Sequence, residues 1–248
     1  MIAAPWFYLA AVAAVLVVGA SKGGLGGGLG VMGVPILSLT IPPVQAAAVL
    51  LPVLCFMDLL GIWHYRGRWD RTHLRILLPA AVAGIVVAAL TFRYIDERFI
   101  RLLVALIAIL FTLDFWLRPR LSGGRGPSRL AGGTWGALAG FTSFVAHAGG
   151  PPVNVYLLSR ELDKSVYVAT TVVFFAVVNY VKLVPYALLG QLNGGNLATS
   201  LTLLPVGALG MALGVWLHER IPVRLFYRIC YLFLFLTGLK LAWDALAG

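Results

Sequence analysis

Apolar residues run along this chain almost without interruption, in blocks at 6–19, 29–40, 44–65, 74–94, 98–117, 130–147, 150–159, 165–189, 197–217 and 222–243. Short polar, Gly- or Pro-bearing joints separate the blocks. Several blocks approach the ~20 residues that a helix needs to cross a hydrocarbon core of about 30 Å. The pattern predicts helices in lipid. One joint, 118–129, reads as a linker, because its Gly, Pro and Arg content cannot continue a membrane helix. It divides the chain into a first membrane unit at 1–117 and a second at 130–248.

The two units resemble each other. Leu78-Pro79-Ala-Ala-Val-Ala-Gly84 matches Leu204-Pro205-Val-Gly-Ala-Leu-Gly210, and the same register pairs Ile95 with Ile221 and Arg98 with Arg224. Allowing for loop lengths, 46–61 aligns with 167–182, and the Gly-rich region after residue 19 aligns with the stretch from Gly140 to Pro152. Internal repeats of this kind are a mark of transporters.

Composition agrees with a membrane protein. The chain is 60% hydrophobic and 11% charged, with mean hydropathy +0.93, against roughly 25% charged residues in soluble domains. The net charge of +10 does not point to nucleic acid, since the basic residues flank apolar blocks instead of forming a solvated patch. Their distribution sets topology. If 6–40 and 130–159 are helix–break–helix hairpins that each leave on the side they entered, the loops at 66–75, 118–129, 159–164 and 218–228 share one side of the membrane and hold thirteen Lys and Arg, against four on the other. Single crossings would split them evenly, so the positive-inside rule favours hairpins. Arms of 14 and 12 residues rise only about 21 and 18 Å. The predicted fold is an all-α polytopic membrane protein of two inverted repeats, each a re-entrant hairpin plus three spanning helices. The 118–129 linker lies in the cytoplasm and both termini lie outside. The first apolar run ends like a cleaved leader but lacks a positive start and is read as retained.

The candidate chemistry sits at the hairpin tips. Gly19 to Gly33 carries eight glycines and Lys22, and a charge at membrane depth belongs in a protein-lined cavity. Ser21, Lys22, Gly23, Gly24, Gly26 and Gly27, with Thr142, Ser143, His147, Gly149 and Gly150 from the second tip, predict an anion site built on half-helix N-termini. The competing reading is tight helix packing, since Gly19/Gly23 and Gly23/Gly27 keep small-xxx-small spacing. Asp58 aligns with Asn179, and Lys182 follows on the same helix face. Lys22 and Asp58 are natural partners, either as a structural salt bridge or with Asp58 as a proton-coupling group. His147 is either a hydrogen-bonded core residue or a ligand. Cys55 and Cys230 lie far apart in apolar blocks and form no disulfide framework. No metal-ligand spacing, P-loop or hydrolase motif is present. Gly28-x-Gly30-x-x-Gly33 lacks the βαβ context of a dinucleotide site. No cofactor is called for.

With these residues in view, the chain resembles the sulfite exporter TauE/SafE family of bacterial permeases. The resemblance rests on the stretch from Gly19 to Leu37, on Gln45-Ala-Ala-Ala, on Asp58 ahead of Tyr65-Arg66 and, less closely, on His147-Ala-Gly-Gly-Pro-Pro152. It implies transport, often outward, of sulfite or related sulfur-containing anions across a bacterial inner membrane. The expected function is secondary export of such an anion, with protons as a further coupling partner and a homodimer as a possible assembly. A passive anion channel is the alternative, and an intramembrane enzyme or accessory subunit a more distant one.

Overall fold

A computed structural model describes residues 5–24, 28–92, 94, 96–117, 128–158, 160, 162–218 and 223–247. Their secondary structure is helical throughout. In chain order come α1 (Pro5–Gly24), a 3₁₀ turn (Gly28–Met32), α2 (Gly33–Leu37), α3 (Pro43–His64), α4 (Arg71–Phe92) and α5 (Glu97–Leu117), then α6 (Arg129–Ala146), α7 (Gly150–Leu158), α8 (Lys164–Leu188), α9 (Gly194–His218) and α10 (Val223–Ala247).

Local chemistry sets the helix starts. Pro42 precedes α3 and Pro43 opens it, where a missing N–H costs nothing. Asp70 accepts from the Thr72 and His73 amides, Asp96 from Phe99, Asp163 from Ser165 and Asn193 from Asn196. Ser128 caps α6 through the Ala131 amide. Each short polar residue satisfies an amide that has no partner inside its own helix.

Among the described residues, five helices are long and apolar enough to cross a membrane: Trp6–Gly24, Pro43–His64, Arg71–Phe92, Ser165–Leu188 and Gly194–Leu217. Leu90, Leu188, Leu201 and Trp243 point outward, while Lys22, Asp58, Asn179 and Lys182 are buried. This inside-out distribution suits lipid rather than water. The chain is an all-α polytopic membrane protein.

Helices pack mainly as α1 on α9, α4 on α6, α5 on α10, and α3 on both α8 and α9. After α1 the chain folds back, so that the 3₁₀ turn and α2 lie against it, and α7 lies against α6 in the same way. Close backbone approach explains the glycines along two of these contacts. A Cβ on Gly19 would meet the Gly210 backbone at 2.9 Å, and one on Gly136 would meet the Leu77 carbonyl at 2.8 Å. Gly23 against Met211, Gly214 against Ala20, Gly84 against Ala137 and Gly140 against Ala81 are closer still.

The first arm differs from expectation. It was expected to end near residue 19, yet α1 continues through Gly24 and is 20 residues long, about 30 Å at 1.5 Å per residue. That length alone can cross a membrane. Glycine ends helices in water, but here Gly19 and Gly23 face another helix backbone, and contact replaces what propensity loses. Gly26 and Gly27, and residues 118–127 of the linker, lie outside the described residues.

Candidate functional site

Four helix segments bring charge into the core. Lys22, in the last turn of α1, donates to Asp58 Oδ1 on α3, and the two form a buried ion pair. Asp58 Oδ2 accepts from Asn179 Nδ2 on α8 at 2.6 Å. The expected Lys22–Asp58 partnership therefore forms, and the two residues aligned by the repeat touch each other.

Lys182 lies one turn beyond Asn179 and is fully buried. Its Nζ donates to the Ser143 carbonyl at 3.0 Å and to Ser143 Oγ at 2.9 Å, and it lies 2.7 Å from His147 Nδ1. His147 Nε2 is 2.8 Å from the Ala47 carbonyl. A carbonyl only accepts, so Nε2 carries the ring proton and Nδ1 presents a lone pair to Lys182.

His147 is the one described non-glycine residue at positive φ. It ends α6 in the left-handed region at φ 51°, ψ 28°, a conformation that costs about 1–2 kcal/mol for an L-residue. Bonds at both ring nitrogens hold it there, and the Tyr186 ring stacks on it at 6.3 Å. Tyr186 in turn donates to the Phe144 carbonyl at 2.6 Å.

Between these groups is a cavity of about 20 Å³ lined by Lys22, Gly30, Leu54, Ser143, His147, Gly150, Phe175 and Asn179. That is room for a single water. Lys22 sits 5.9 Å from the Phe175 ring centroid. The lining comes from both halves of the sequence.

Of the expected site residues, Lys22, Ser143, His147, Gly150 and Asn179 line this cavity, with Asp58 and Lys182 directly behind. Ser21 and Thr142 are engaged elsewhere. Ser21 Oγ accepts from the Leu29 amide at 3.0 Å, and Thr142 Oγ1 donates to the Ala148 carbonyl at 3.0 Å, so each braces the chain across its break. Ser21→Ala leaves the buried Leu29 amide without that acceptor, and a loss of about 1–3 kcal/mol is expected in equilibrium unfolding. Gly23 and Gly149 are used for packing. A Cβ on Gly149 would lie 2.8 Å from the Ala139 carbonyl and 3.1 Å from the Phe175 ring. Gly24 is buried in the last turn of α1.

The expectation of N–H groups at both tips is corrected. Ser21 to Gly24 and Thr142 to Ser143 lie at the C-terminal ends of α1 and α6, which present carbonyls and the negative end of the helix dipole. Tyr65 OH donates to the Gly23 carbonyl at 2.7 Å, and Lys182 covers the end of α6. Among the described residues of the expected set, Gly150 alone opens a helix at the cavity.

Sequence reasoning missed Gly30, Leu54 and Phe175. The signal was present: Leu54 and Phe175 stand four residues before Asp58 and Asn179, on the same helix faces.

Among the described residues no group of three His, Cys, Asp or Glu side chains could hold a metal. No curated protein and no solved structure shows significant similarity to the chain. A family profile does match: the one described as sulfite exporter TauE/SafE, across residues 11–241. That match spans most of the sequence and every cavity-lining residue, so the chain belongs to the TauE/SafE family of membrane transporters of small anions.

Proposed function

We propose that the protein exports small sulfur-containing oxyanions, sulfite or organosulfonates, and that it binds them at the central cavity between Lys22 and Lys182. The observation that carries this reading is the charge balance: two buried lysines face one carboxylate, Asp58, around a cavity that both halves of the chain build. Two ammonium groups against one carboxylate leave one positive charge for an anion to neutralise. Ser143, His147, Gly150 and Asn179 replace hydration around it. Asp58 holds Lys22 between cycles and releases it to the substrate.

The cavity has room for one water and must widen to admit an anion, which supports an occluded carrier over an open pore. The packing supports inverted repeats. Exchanging α1 with α6, α3 with α8, α4 with α9 and α5 with α10 turns the α1–α9 contact into α6–α4 and leaves the α3–α8 and α5–α10 contacts in place. In that arrangement α1 with α2, and α6 with α7, are the hairpins, and both termini lie outside the bacterial inner membrane. An inside-negative potential favours anion exit by about 2.3 kcal/mol per charge per 100 mV, so export runs without ATP.

The test is transport of labelled sulfite and methanesulfonate in proteoliposomes under an imposed potential. We expect transport that unlabelled anion on the far side accelerates, and at least a tenfold loss in Lys22→Ala and in Lys182→Ala. Undiminished transport in Lys22→Ala sinks the reading, and unitary currents in planar bilayers would make the protein a channel.

A further inference from the structure

Lys182 has three hydrogen-bond partners and, among the described residues, no carboxylate bound to it. Its acceptors are the Ser143 carbonyl, the Ser143 hydroxyl and His147 Nδ1, all uncharged. Asp58 is engaged by Lys22 and Asn179. A charge held this way in an apolar interior is costly to keep, so what the surroundings do when it is lost matters.

They accommodate the loss without moving a heavy atom. A neutral Lys182 amine has a lone pair where one N–H was, and the Ser143 hydroxyl can rotate to donate to it. Alternatively the proton moves to His147 Nδ1, which then donates to the amine while Nε2–H keeps the Ala47 carbonyl. Protons on both are excluded, because two donors would face each other across 2.7 Å. The pair therefore holds one excess proton or none. With Lys22 and Asp58 cancelling, the core carries a charge of one or zero accordingly.

We propose that Lys182 and His147 form one shared proton site, and that an anion enters the cavity only while that site is filled. The inference rests on the transport reading above and moves proton coupling from Asp58 to this pair. The ionisable groups facing Lys182 are Lys22 from α1, Asp58 and Cys55 from α3, and His147 from the end of α6; Tyr186 on α8 stacks on His147. The buried titratable groups of α4 and α7, His73 and Tyr156, bond each other instead, at 3.1 Å. Ser143 and His147 line the cavity and Lys182 does not, so the proton is exchanged with water through them.

Linkage gives the sign. Filling the site favours the anion, so the anion favours the proton by the same factor. The probe is methanesulfonate, ionised throughout, added to detergent-solubilised protein in weakly buffered solution with a pH-indicator dye. Above the midpoint of the pair, wild type is expected to take up close to one proton per protein on binding. Its half-saturating concentration should rise up to tenfold per pH unit there. Lys182→Arg, with a fixed charge, should bind with no uptake and a flat pH profile. His147→Gln can make both ring hydrogen bonds but cannot take the proton, and should shift the midpoint by a unit or more. Unchanged uptake in Lys182→Arg overturns the assignment; if that variant does not fold, an unmoved midpoint in His147→Gln does so. Wild-type binding without proton uptake anywhere between roughly pH 5 and 9 overturns it while leaving the transport reading intact. Absence of binding for both methanesulfonate and sulfite overturns the two together.

Discussion

Asp58→Leu is expected to destabilise the protein by about 3–5 kcal/mol, the cost of removing one partner from a buried pair. Both partners are almost fully buried, and the same carboxylate also satisfies Asn179. Without Asp58, Lys22 becomes an uncompensated charge in a core that already contains Lys182. Lys22→Met should cost a similar amount for the opposite reason, leaving the carboxylate with Asn179 alone. The double variant Lys22→Met/Asp58→Leu should recover most of the loss, since two apolar groups need no partner. A double-mutant cycle by unfolding in mixed detergent is expected to give a coupling of at least 2 kcal/mol. Transport should be lost in all three proteins. Recovery of stability without recovery of transport would separate the pair's part in the fold from its part in transport. Additive losses would mean that the two side chains do not depend on each other.

Much of the architecture is legible in the sequence because lipid leaves a chain few options. Apolar runs of membrane length predict helices, and the structure adds the caps at Asp70, Asp96, Ser128, Asp163 and Asn193 that start them. The Lys22–Asp58 pair is legible for the same reason: a buried charge needs a partner, and carboxylates at depth are scarce. The partners of Lys182 were not legible. They are a carbonyl, a hydroxyl and an imidazole lone pair, and only three-dimensional placement shows that His147 points its Nδ1 at an ammonium. The end of α1 was misread because glycine has two opposite meanings. A run of glycines signals a break when the backbone is solvated, and close packing when another helix covers it. Gly19 and Gly23 belong to the second case. Their small-xxx-small spacing allows that reading without deciding for it, because the deciding residues, Gly210, Met211 and Gly214, are almost two hundred positions away.

Those glycine seams also determine which parts of the molecule are stiffly joined. Each seam links the long arm of one half to a helix of the other: α1 to α9, and α6 to α4. The end of α1 carries Lys22, and the end of α6 carries Ser143 and His147. Distorting either seam therefore displaces one wall of the cavity. Gly140→Ala places a methyl group against the Ala81 backbone, where no side chain can rotate away. The two helices must separate, and a loss of about 2–3 kcal/mol is expected from overpacking of this kind. Seven residues earlier on the same helix, a Cβ on Gly133 would meet nothing within 4 Å. Gly133→Ala should be neutral, or stabilising by about 0.5–1 kcal/mol through the lower backbone entropy of the unfolded chain. Thermal unfolding in one detergent compares the pair directly, and transport at a temperature where both are folded tests the link to the site. Gly140→Ala should lose anion affinity, because α6 moves with Ser143 and His147 at its end, while Gly133→Ala should keep it. If the two variants unfold alike, the close approach of α4 and α6 does not support the cavity, and the glycines after residue 132 need another explanation.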